Sequence, residues 1–191
     1  MIMNSKSFIQ AAVLVSATLM GSLANANLVT NGGFEDGLSG WQNDGNFTLG
    51  SFNGYTPFGT SALYFGCVGQ LCSTRQTIAT TAGASYVFSF EYGSDAGTPN
   101  ELIASFDGVT VFHTINDVTD TRPGYVLETF NVTASGSSTL VEFLGRNDPT
   151  YQSIDNVSVV DAPASVPEPT SFALAGLALL GLGLTTRRKS K

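Results

Sequence analysis

Residues 85–93 read Ser-Tyr-Val-Phe-Ser-Phe-Glu-Tyr-Gly. Tyr86, Phe88, Phe90 and Tyr92 fall at every second position, with Val87, Ser89 and Glu91 between them. Side chains of an extended strand alternate between two faces, so this order makes one aromatic face and one mixed face. A helix would scatter the same four rings around its axis. Such a row reads as core covered by a second layer, the alternative being a ligand-facing platform. The same period recurs at 102–106 and 125–133, and turn signals set off the remaining short runs. Strands are predicted near 46–52, 61–65, 74–80, 85–93, 102–106, 109–114, 125–133, 139–144 and 154–160. Asp107-Gly108 joins two of them in the pattern of a tight hairpin turn. No helical periodicity is sustained anywhere in the body. The fold class is therefore all-β, a sandwich of about nine short strands.

Both ends of the chain depart from this pattern. Lys6 precedes an apolar stretch from Phe8 to Met20, followed by Ala24-Asn25-Ala26, an A-x-A cleavage pattern. A signal peptide is predicted over 1–26, cut after Ala26. At the other end, residues 162–171 form a linker holding Val166-Pro167-Glu168-Pro169. Pro167 and Pro169 fix φ and withhold backbone donors, so neither helix nor strand runs through them. A hydrophobic transmembrane helix is predicted over 172–186. Its uncharged core, Phe172 to Leu184, has thirteen residues. At ~1.5 Å per residue that is roughly 20 Å, short of the ~30 Å hydrocarbon core. Arg187, Arg188 and Lys189 follow as a basic stop, expected on the cytoplasmic side. The sandwich domain is left with 27–161.

This tail resembles a PEP-CTERM sorting signal: Pro167-Glu168-Pro169, a short hydrophobic helix and an arginine-rich end. The resemblance implies a Gram-negative host and recognition by an exosortase, a membrane cysteine protease that cuts near the motif. It implies a protein held transiently in the inner membrane, then at the cell surface or in the extracellular matrix. Members are associated with exopolysaccharide and biofilm.

The charge balance limits partners. Between the two end segments lie three arginines, no lysine and fourteen acids, a formal charge of −11. Nucleic acid is excluded as a partner for such a surface. A cation, a neutral polysaccharide or another protein is left. Cys67 and Cys72 are the two cysteines. In an oxidising compartment they are expected to close a small disulfide loop, contributing about 2 kcal/mol. Their spacing is not C-x-x-C, and His113 is the lone histidine, so redox catalysis and zinc are not expected.

A second resemblance spans the body. Asn31-Gly32-Gly33-Phe34-Glu35-Asp36-Gly37 with Gly40-Trp41 at its start, and Ile154-Asp155-Asn156-Val157-Ser158-Val159 at its end, resemble the ends of galactose-binding-like jelly rolls, carbohydrate-binding modules among them. In such folds a structural calcium often joins first and last strands, which implies Glu35 and Asp155 as metal ligands. Ca²⁺ takes six to eight oxygens, and glycine-rich loops offer carbonyls beside carboxylates. The plainer alternative makes Glu35 a turn cap and Asp155 a hydrogen-bond acceptor at a strand end.

For a ligand, Trp41, Tyr55, Phe58, Tyr125 and Tyr151 stand in or beside loops, where saccharides stack on rings. Tyr55 and Phe58 lead because Gly and Pro surround them. No G-x-S-x-G, phosphate loop or zinc constellation is present, so no enzyme is expected. The expected function is a non-enzymatic exported protein that binds or organises extracellular polysaccharide. One alternative is a structural, self-associating envelope protein. The other is a carbohydrate-active enzyme using two of Glu91, Asp95, Glu101, Glu128 and Glu142.

Overall fold

The computed structural model describes residues 26–51, 56–121 and 123–163. The predicted signal segment before Ala26, Tyr55, the Pro167-Glu168-Pro169 motif, the hydrophobic helix and the basic stop lie outside the described residues. Ten strands are present: β1 Gln42–Asp44, β2 Phe47–Gly50, β3 Ala62–Phe65, β4 Cys72–Ala79, β5 Ser85–Ser94, β6 Asn100–Phe106, β7 Val109–Ile115, β8 Val126–Thr133, β9 Ser138–Asn147 and β10 Gln152–Asp161. They form two five-stranded antiparallel sheets, β1-β4-β9-β6-β7 and β2-β3-β10-β5-β8. The fold is a jelly-roll β-sandwich. Nine of the strands fall where the sequence predicts them. The tenth, β1, is three exposed residues on a sheet edge, too short to show a period.

The aromatic face of β5 is the centre of the core. Tyr86, Phe88, Phe90 and Tyr92 point between the sheets and are buried. Phe143 of β9 meets them from the facing sheet, 5.0 Å from Phe90 in an edge-to-face pair and 5.9 Å from Phe88. Such pairs add to area burial because ring edges and faces carry opposite partial charge. Asp107 and Gly108 turn β6 into β7 with φ of 54° and 76°. These are the left-handed values a tight hairpin turn needs.

The N-terminal loop is bound to the last strand. Asn27 donates through Nδ2 to the Val157 carbonyl, and its Oδ1 accepts from the Val159 amide. The Val157 amide donates to the Gly32 carbonyl at 2.9 Å. A Cβ at Gly32 would stand 2.0 Å from the Val157 oxygen, so this contact requires glycine. Phe34 and Trp41 then fold back into the core, their rings 5.4 Å apart. Cys67 and Cys72 are disulfide-bonded, with Cα atoms 5.8 Å apart.

Candidate functional site

The outer surface of the β2-β3-β10-β5-β8 sheet is unusual because much of it is covered. Ala62 and Tyr64 of β3, Ser153 and Asp155 of β10, and Gly93 of β5 all point outward yet are buried. Residues 56–61 lie over one part. The segment leading into β8 lies over another.

Two acids fasten the first cover. Glu35 Oε1 accepts from the Thr60 and Ser61 amides, each at 2.8 Å, and its Oε2 accepts from the Thr60 hydroxyl. The Thr60 amide leads the bonds that hold the Glu35 carboxyl below its ordinary pKa. Asp155 Oδ2 accepts from the Phe58 amide at 3.0 Å, and its Oδ1 accepts from the Asn156 amide. Burial pushes the Asp155 carboxyl up to about 7, against the lowering effect of those two amides, and the charges of Glu35 and Glu91 raise it further. Glu91 is the direct cross-strand partner of Asp155, and burial raises its pKa also.

The sequence paired Glu35 with Asp155, and the fold brings them to the same loop. Each is acting as a hydrogen-bond acceptor for backbone. Among the described residues no group of three or more His, Cys, Asp and Glu side chains is placed to hold a metal. The fully buried Asp155 carboxyl faces the like charges of Glu35 and Glu91.

Beside this loop the same surface carries three tyrosines. Thr48, Tyr64, Ser153 and Gly93 are successive cross-strand neighbours on β2, β3, β10 and β5. The Tyr125 ring, from the residue preceding β8, lies over Gly93. A Cβ there would stand 2.8 Å from Tyr125 Cε1 and 2.4 Å from Ser153 Oγ, so only glycine leaves room for the ring. The Tyr64 and Tyr125 hydroxyls are hydrogen-bonded at 3.1 Å. Tyr151, 40% exposed, meets Tyr64 edge to face at 6.0 Å. Tyr64, Tyr151, Thr48 and Gly50 line a cavity of about 170 Å³. On the other side of the loop, the Phe58 ring is 51% exposed and packs on Gly33. It joins Asn31, Glu35 and Asn156 around a second hollow of about 360 Å³.

The expected ring platform is therefore rearranged. Tyr151 and Phe58 are exposed on either side of the loop. Trp41 requires correction: it is 7% exposed, packed on Phe34 and Phe143, with Nε1 donating to the Asn31 carbonyl. The indole is core and presents no face to a ligand. Tyr64, Ser153 and Gly93 were not singled out from sequence. All four β3 residues are buried, so no alternation marks Tyr64 as facing outward.

Comparison with known proteins bears on the tail and the fold separately. Residues 165–189 match the PEP-CTERM protein-sorting motif. The chain carries a PEP-CTERM sorting signal. A PEP-CTERM tail implies an exported protein, sorted at the membrane. No curated protein matches the chain. Solved structures with the same fold include the enzymatically active domain of tailspike protein 4 of bacteriophage CBA120, with 16% identity and TM-score 0.54, covering 71% of this chain and 21% of that one. A Stig cyclase, Fisc, from Fischerella sp. TAU has 14% identity and TM-score 0.54, covering 73% and 98% of the two chains. A family 16 carbohydrate-binding module has 20% identity and TM-score 0.50, covering 71% and 100%. The chain thus spans about a fifth of the tailspike domain's length and nearly all of the other two. At these identities the likeness establishes the jelly-roll fold.

Proposed function

We propose that the body of this exported protein is a non-catalytic polysaccharide-binding module, delivered by the PEP-CTERM tail and released through processing by an exosortase. The observation that carries the reading is the tyrosine surface. Tyr151 offers an exposed ring, held edge to face against the buried Tyr64, with the half-buried Tyr125 bonded to Tyr64 behind it. A saccharide presents a complementary apolar C–H face. Phe58 offers a second exposed ring across the loop. The likeness to a carbohydrate-binding module contributes the fold and leaves the ligand open. Asp155 is covered by the Phe58 backbone, which favours a structural over a catalytic part for it. Retention on polysaccharide, weakened by Tyr151→Ala, tests this reading.

A structural calcium belongs to the same proposal. Glu35 and Asp155 would supply two carboxylates, and backbone carbonyls the remaining oxygens. The ion would neutralise the charge held under the 56–61 loop and tie the first loop to the last strand.

Self-association is favoured by a different observation. Val109, Ile115, Val118, Val126 and Leu127, half of the exposed large hydrophobics described, lie on or next to β7 and β8. Those strands are the edges of the two sheets on one side of the sandwich. Sedimentation of the folded protein over a concentration range tests it. A monomer throughout would exclude this second reading.

A further inference from the structure

The ten residues of β10 run the length of the sandwich and separate its two ends by roughly 30 Å at ~3.3 Å per residue. Tyr151 precedes the first residue and the linker follows the last. The N-terminal segment leaves at the linker's end too. Leu28 donates to the Val159 carbonyl while the Val157 amide donates to Gly32, so Asn27 and Ala26 run antiparallel to β10 toward Asp161. Residues 26 and 163, which bound the described body, therefore lie at the end opposite the tyrosines.

The two ends differ in charge. The tail end is closed by the turns 80–84, 107–108 and 134–137, together with Ala162 and Pro163. These turns are Thr, Ala, Gly and Ser apart from Asp107, whose carboxylate accepts from the Ser135 amide. Asp161 is the one other acid there. The opposite end carries Asp44, Asp95, Asp117, Asp120 and Asp148 in or beside its loops. Twelve of the body's fourteen acids thus lie away from the tail end, as do Arg75 and Arg146, which offset only part of that charge.

An anionic bilayer repels acids within about a Debye length, ~8 Å at physiological salt. A body tethered beside one turns its least negative end inward. We propose that the 80–84, 107–108 and 134–137 end is the face turned to anionic lipid headgroups while the tail is inserted, with the tyrosine surface directed outward. This rests on the membrane insertion of the PEP-CTERM tail. It follows that polysaccharide reaches the tyrosine surface before the tail is cut, and that release is not needed to expose it.

The test uses the full precursor reconstituted in phosphatidylglycerol-containing vesicles. Cys67 and Cys72 are joined, so Ser137→Cys or Thr81→Cys at the tail end, and Val118→Cys at the other, each give one free thiol for a fluorophore. All three positions are exposed, and two tail-end variants guard against one failing to fold. A quencher on the lipid headgroups should act several-fold more strongly at 137 and 81 than at 118. The difference should shrink at high salt and in uncharged vesicles. Equal quenching, a stronger effect at 118, or no quenching at any position on protein that floats with the vesicles would overturn the orientation. Failure to float with the vesicles would overturn the membrane reading itself, and the orientation with it.

Discussion

Asp155 and Glu91 are direct partners across the β10–β5 ladder, two carboxylates side by side on the outer surface of one sheet. Like charges so placed destabilise a sheet, and burial of Asp155 sharpens the effect. The Asp155 carboxyl in the folded protein titrates near 7, above its ordinary 3.8. Between those values the folded state holds a proton that the unfolded state has lost. Asp155 therefore stabilises the fold below pH 4, and this contribution is lost as pH rises toward 7. Glu91 and Glu128, also raised by burial, act in the same direction. Melting temperature should fall between pH 5 and 8. Asp155→Asn should flatten the fall, and an equally steep fall in the variant would show that Asp155 is not its source.

Calcium should reverse that trend. A bound cation favours the ionised carboxylate, so added Ca²⁺ should raise the melting temperature most above pH 7 and little at pH 5. Chelation should undo the gain, and Asp155→Ala should abolish the response. A melt indifferent to calcium and chelator at pH 8 would remove the ion from the account.

Gly32 and Gly93 are fixed by what lies against them. At Gly32→Ala the new methyl meets the Val157 carbonyl, a backbone group that cannot rotate away. A loss of about 2 kcal/mol or more is expected in chemical denaturation. At Gly93→Ala the methyl meets the Ser153 hydroxyl first and then the Tyr125 ring, both side-chain groups rather than backbone. That variant should lose less stability and more polysaccharide retention. The opposite ranking would contradict the packing described.

Cys67→Ser with Cys72→Ser opens a five-residue separation. Closing so short a loop removes little chain entropy, so about 2 kcal/mol should be lost. The sulfurs also accept from the Asn46 amide, at 3.2 and 3.3 Å, which anchors the turn into β2. Amide exchange at Asn46 should quicken in the variant more than at Phe88.

Local pattern made the sandwich legible. The alternation of β5 and the Asp107-Gly108 turn each needed only neighbours in sequence to be read. The pairing of Glu35 with Asp155 was reached through resemblance, since 120 residues separate them. What sequence left hidden is register. Tyr64, Ser153 and Gly93 form one row only because β3, β10 and β5 pair as they do, and nothing local to any of them records that. Trp41 misled for a related reason: a loop position says little about whether the ring turns out or, as here, folds back onto Phe34 and Phe143.

The central claim is that the tyrosine surface binds polysaccharide. The most direct measurement is retention of the exported protein on a panel of neutral and acidic polysaccharides, in calcium, beside Tyr151→Ala and Phe58→Ala. The account predicts saturable retention on at least one polysaccharide, reduced roughly tenfold by Tyr151→Ala, as for the loss of one stacking ring worth ~1.4 kcal/mol. Retention on none, or retention indifferent to both rings, would contradict it.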